Sequence, residues 1–188
     1  MNVLTQQRPI VTKKLTCQEF WDLGESGFFD GHRVILVDGE IIFMSPINFA
    51  HTMAVDAAVD QLLVWFPKTH FWIRTQVPLQ LSLATDPEPD VALIPGRRPS
   101  HTAHPTTALL VVEVSDTTLS FDLGDKADLY ATGNIEDYWV LDLNRRRLFV
   151  HRDPQNGIYT TITIYAETET VSPLVMPNAS IAVSALIT

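Results

Sequence analysis

Two short apolar runs in the middle of the chain each carry one acid where a buried strand should carry none. Asp90 opens Asp90-Val91-Ala92-Leu93-Ile94, and Glu113 interrupts Ala108-Leu109-Leu110-Val111-Val112-Glu113-Val114. A carboxylate inside such a run is costly to bury unless it is paired, hydrogen-bonded or bound to a metal. Any sheet this chain forms must therefore bring partners to both positions. Directly after the second run, Asp122, Lys126 and Tyr130 recur at four-residue intervals in a helical pattern, so they share one face. Two strand-borne acids and a nearby helix-borne lysine are the parts of a metal-dependent phosphodiester hydrolase.

The flanking pattern alternates strands and helices. Thr16 followed by Glu19 is a capping box and predicts a short helix that ends at Gly24 and Gly27. Val34 to Val37, Asp38-Gly39 and Glu40 to Met44 read as a tight hairpin. A helix is expected from His51 to Phe66, with Val55, Ala58, Leu62 and Trp65 on one face and His51 at the head of that row. Phe71 to Leu81 alternates as a strand that Pro78 confines to an edge or a bulge, with Arg74 and Gln76 on one face. The Asp90 strand follows a turn and pairs antiparallel with it. The Glu113 strand is apolar throughout, as in a central strand covered on both faces.

A helix over Leu119 to Thr132, capped at Gly133-Asn134, then leads to a strand over Asp137 to Leu143, which implies a right-handed parallel unit. Leu148 to His151 and Ile158 to Tyr165 complete the set. The expected fold is a mixed α/β domain spanning residues 1–188, with a central mixed sheet flanked by helices and additional hairpins.

With 188 residues and 46% apolar content, the chain can bury a real core. Its one cysteine, Cys17, excludes an intrachain disulfide and a Cys-based zinc site, and reads as a small buried residue. The polar N-terminus and the lack of a membrane-spanning run imply a cytoplasmic protein. A net charge of −9 argues against a generalist nucleic-acid binder, leaving local basic patches as the alternative. The candidates are Lys13-Lys14, Arg97-Arg98 with His101 and His104, and Arg145-Arg146-Arg147.

Asp90, Ala92 and Ile94 share a strand face, as do Val111, Glu113 and Ser115, so neighbouring strands would aim both carboxylates at one spot. Hard oxygen ligands suit Mg²⁺ or Mn²⁺. Lys126 would then position an attacking water or offset charge in the transition state, flanked by Asp122 and Tyr130. The structural alternative is a half-buried Glu113–Lys126 ion pair, with Asp90 capping a turn after Pro89.

Five segments carry a resemblance: DGEIIFMSP, His51 at a helix start, PEPDVALI, VVEVSDTT and DLGDKADLYATGNIEDYWVLD, together covering roughly Val34 to Arg152. In order and spacing they resemble the restriction-endonuclease-like family within the PD-(D/E)XK nuclease superfamily. The resemblance implies a metal-dependent endonuclease acting on DNA as a homodimer, with Asp90 and Glu113 as the motif acids. It also implies a metal held by both acids with help from the Val114 carbonyl, and His51 and Gln76 as auxiliary residues. One departure is plain: the motif lysine expected two residues after Glu113 is Ser115, and Lys126 is the residue able to replace it. The rival reading is an inactive nuclease-fold module that binds nucleic acid or protein.

Overall fold

A computed structural model describes residues 12–187, so the reading of the polar N-terminal start lies outside the described residues. Six strands form the central sheet in the order β3-β4-β5-β6-β7-β8. These are β3 (Phe71–Arg74), β4 (Val91–Pro95), β5 (Leu110–Ser115), β6 (Asp137–Asp142), β7 (Arg147–Gln155) and β8 (Ile158–Ala166). Only β5 and β6 run parallel; the other neighbours are antiparallel. The expected strand–helix–strand crossover is what joins the parallel pair. Strands β5 and β6 are buried along their whole length, which explains why they are mostly apolar.

Two cores sandwich the sheet. On one face Ala54, Val55, Ala58 and Leu62 of the helix α2 (Phe49–Trp65) pack on Val91, Leu93, Val112 and Val114. On the other, Ala127, Tyr130 and Ala131 pack on Ala92, Val111, Tyr138 and Val140. The apolar partners of α2 are thus the odd residues of β4 and the even residues of β5. Asp90 and Glu113 therefore belong to the opposite face, with the crossover helices. Helix α2 starts two residues before the expected His51, because Asn48 caps it by accepting from the His51 N–H at 2.9 Å.

Two elements depart from expectation. The strand predicted over Phe71 to Leu81 ends at Arg74, because Gln76 adopts φ +50° and turns the chain before Pro78. The helix predicted over Leu119 to Thr132 is broken at Gly124 (φ −110°, ψ −100°) into α3 (Leu119–Leu123) and α4 (Asp125–Thr132). At the far end it is Asn134, at φ +58°, rather than Gly133 that takes the left-handed conformation.

A smaller lobe leans on the sheet. It contains α1 (Cys17–Glu25), with its capping box intact, and the hairpin β1 (Val34–Val37) with β2 (Glu40–Phe43). Asp38 and Gly39 both take positive φ, as the tight turn requires, and a Cβ on Gly39 would stand 2.6 Å from that of Lys14. The Trp21 indole donates to buried Asp86 at 2.7 Å and ties the lobe to the segment entering β4. A second small pair, β9 (Thr170–Val171) with β10 (Ile181–Ala182), closes the α2 side.

His151, 2% exposed on β7, sits between the rings of Tyr138 and Tyr159 with no partner for Nδ1. Burial pushes its pKa down to about 4 from 6.5. The folded state thus excludes a proton that the unfolded chain binds below pH 6.5. The stability this contributes is present above pH 6.5 and lost as pH falls toward 4, by about 3 kcal/mol in all. His151→Phe should flatten the fall in unfolding free energy between those limits, as measured by urea denaturation across pH.

Candidate active site

The site lies where β4 begins and β5 ends, at the carboxyl end of the parallel pair, the region where open α/β sheets bind ligands. The β4–β5 register pairs Val91 with Val112, so one step outward sets Asp90 opposite Glu113 on the same face. Asp90 is fully engaged. Its Oδ1 meets His51 Nε2 at 2.9 Å and accepts from the Gln76 amide at 3.3 Å, while its Oδ2 accepts from the Val114 N–H at 2.9 Å. Burial acts to raise the Asp90 pKa, but the His51 hydrogen bond, the Lys126 and His51 charges and the Val114 N–H outweigh it, leaving the carboxyl below the usual range. Gln76 reaches Asp90 because of the turn that ends β3, not because of strand alternation.

Glu113, 1% exposed, accepts from the Tyr130 hydroxyl at 2.7 Å through Oε1 and meets Lys126 Nζ at 2.9 Å through Oε2. Lys126 Nζ also lies 3.5 Å from Asp122 Oδ1. The break at Gly124 thus leaves Asp122 and Lys126 on separate helices yet still in contact. Thr118 holds the other Asp122 oxygen at 2.5 Å. Burial pushes the Glu113 carboxyl up to about 8, with Asp90 and Asp122 adding to the rise and Lys126 opposing it. For Lys126, burial acts downward, but the charges of Glu113, Asp122 and Asp90 prevail and hold the ammonium protonated. Burial likewise keeps the Tyr130 hydroxyl protonated, as a donor.

A groove opens on this cluster, lined by His51, Asp90, Val114, Asp122 and Lys126. Glu113 is not among the lining residues and is reached through Lys126. The sequence reading missed Arg33, Glu88, Asn48, Asp116 and Thr118, which also line the groove. A signal existed for one of them: Glu88 precedes Asp90 by two residues in PEPD. Asp116 is fixed by Asn48 Nδ2 at 2.5 Å on its Oδ2 and by Asn144 Nδ2 at 2.5 Å on its carbonyl. The expected ion pair between Glu113 and Lys126 is present, and buried more deeply than the half-buried pair anticipated.

Of the basic patches, two are spent on ion pairs except for exposed Arg145. Lys13 pairs with Glu19, Lys14 with Glu40, Arg146 with Glu167 and Arg147 with Asp142. Arg97 and Arg98 are exposed, but they follow the opposite end of β4 from Asp90. None of the three patches lines the groove.

Among the described residues, no three His, Cys, Asp or Glu side chains gather as a metal cage. Mg²⁺ does not need one: it binds through one or two carboxylates and keeps several waters. Two opposed carboxylates, with a further lone pair at Asp90 Oδ2 and at each Glu113 oxygen, fit that requirement.

The mixed six-stranded sheet carries this acid pair at one end of two adjacent strands. Residues 17–184 match the family described as "Uma2: Putative restriction endonuclease", and the chain belongs to that family. Among solved structures it is similar to a "putative nuclease belonging to DUF820" from Anabaena variabilis ATCC 29413, with TM-score 0.71 and 13% identity, over 92% of this chain and 97% of that one. The type IIG restriction endonuclease BpuSI aligns with TM-score 0.39 and 14% identity, over 58% of this chain and 12% of that one. No curated protein sequence matches the chain. Among the described residues, no helix is long and apolar enough to cross a membrane.

Proposed function

We propose that the protein is a Mg²⁺- or Mn²⁺-dependent endonuclease that hydrolyses phosphodiester bonds, with DNA as substrate. The observation that carries this reading is Lys126 Nζ, 2.9 Å from Glu113 Oε2, which supports Lys126 as the substitute for the lysine missing at Ser115. Asp90 and Glu113, aided by the Val114 carbonyl, would hold the ion. Such an ion, when bound, withdraws charge from the scissile phosphate and acidifies a water. Lys126 orients the attacking water or offsets negative charge on the phosphate as the bond breaks. His51 and Gln76 fix the rotamer of Asp90, Tyr130 fixes that of Glu113, and Asp122 steadies the Lys126 ammonium.

The same reading takes residues 1–188 as one cytoplasmic domain that works as a homodimer. Support for the dimer comes from the sheet edge. Strand β8 leaves Ile158, Ile162 and Ile164 exposed on an uncharged edge strand, which soluble proteins otherwise guard.

The test is cleavage of supercoiled plasmid and of single strands with Mg²⁺ or Mn²⁺, set against EDTA. Metal-dependent strand scission is expected. A second reading, an inactive nuclease-fold module, is favoured by Ser115, whose buried hydroxyl has no partner where the motif lysine would stand. Nucleic-acid binding without scission under either metal would establish that reading instead.

A further inference from the structure

Building on the nuclease reading, we infer that the substrate reaches the groove as an unpaired strand whose bases stack on an aromatic rim beside it. Phe43 and Phe49 bracket the Met44–Asn48 segment that walls the groove, and they are 63% and 79% exposed. Solvent exposure on that scale leaves their rings available to a flat apolar partner. The His32 ring stands edge-on to Phe43 at 5.4 Å. Beyond it, a hollow lined by Trp21, Phe29 and His32 continues the surface, and Arg33 and Glu88 belong to both hollow and groove. The Met44 N–H donates to the Arg33 carbonyl at 2.9 Å, which fixes Arg33 beside the Phe43 end of the hairpin.

The occupant follows from chemistry. In a duplex each base face is covered by its neighbours, so exposed rings gain from stacking only when bases are unpaired, at about 1–3 kcal/mol per base. Phosphate neutralisation, the usual source of duplex affinity, is poorly served here. The chain carries net charge −9, two of its basic clusters are tied up in ion pairs except for Arg145, and the third follows the far end of β4. Arg33 is the cation that both surfaces share, so it meets the backbone while the rings meet the bases.

The experiment is fluorescence anisotropy of the whole protein with labelled oligo(dT) and with a blunt duplex of equal length, calcium replacing magnesium. The single strand should bind at least about tenfold tighter, with a shallow salt dependence because few cations meet its phosphates. Phe43→Ala and Phe49→Ala should each weaken it by about tenfold while leaving the circular dichroism unchanged. Equal or tighter duplex binding, unchanged affinity in both variants, or loss of self-association in them would overturn the inference, the last assigning the rim to a second copy. Scission of duplex without preference for single strands also overturns it and leaves the nuclease reading intact. Single-strand binding without scission does the reverse.

Discussion

Replacing Lys126 with methionine is expected to abolish nuclease activity and to be the most destabilising single change at the site. Lys126 is 5% exposed and its ammonium faces Glu113 Oε2 at 2.9 Å and Asp122 Oδ1 at 3.5 Å, so removing it leaves two carboxyl groups buried without their cation. Breaking a buried pair from one side costs about 3–5 kcal/mol. The cost depends on pH with a definite sign. Burial raises the Glu113 pKa to about 8, so well below that value the carboxyl keeps its proton in both proteins and the variant lacks compensation mainly at Asp122. Above it, only the wild type offsets the new charge. Urea unfolding should therefore show the full loss at pH 9 and a smaller one at pH 6. A loss independent of pH would mean that packing, not charge, is what Lys126 supplies.

Asp90→Asn is expected to separate chemistry from stability. Asparagine keeps an acceptor for the Val114 N–H and offers an amide to His51, so unfolding free energy should fall by no more than about 1–2 kcal/mol. What it removes is the carboxylate of the pair that keeps its charge at neutral pH. Metal-dependent scission should drop at least about a hundredfold, the scale on which single electrostatic contributors act in active sites. Retained activity would place the metal elsewhere. Lys126→Met should lose both fold stability and activity, whereas Asp90→Asn should lose activity with little loss of stability.

Much of this was legible in the sequence because the signals are local or periodic. The Asp38-Gly39 hairpin, the Thr16–Glu19 capping box, the antiparallel pairing of the Asp90 strand and the parallel crossover around Glu113 all follow from short patterns. That Asp90 and Glu113 share a face follows from strand alternation once β4 and β5 are neighbours. The break at Gly124 was hidden because an i, i+4 pattern continues across it, and Asp122 and Lys126 remain close without a continuous helix. Gln76 was assigned to a strand, but a positive-φ turn delivers it to Asp90. The neutralisation of Arg146 by Glu167 could not be read at all, since the partners meet only across the β7–β8 hairpin. Arg33 and the aromatic rim were likewise invisible, because their proximity to the groove depends on how the α1 and hairpin lobe docks through Trp21 and Asp86.

The central claim is one cation site shared by Asp90 and Glu113, and calorimetric titration with Mn²⁺ tests it most directly. The wild type, Asp90→Asn and Glu113→Gln should be compared with and without bound oligonucleotide. The wild type should bind Mn²⁺, and either substitution should weaken that binding at least about tenfold. Binding unchanged in either variant, or none in the wild type under both conditions, would contradict the claim and leave the two acids with a structural role.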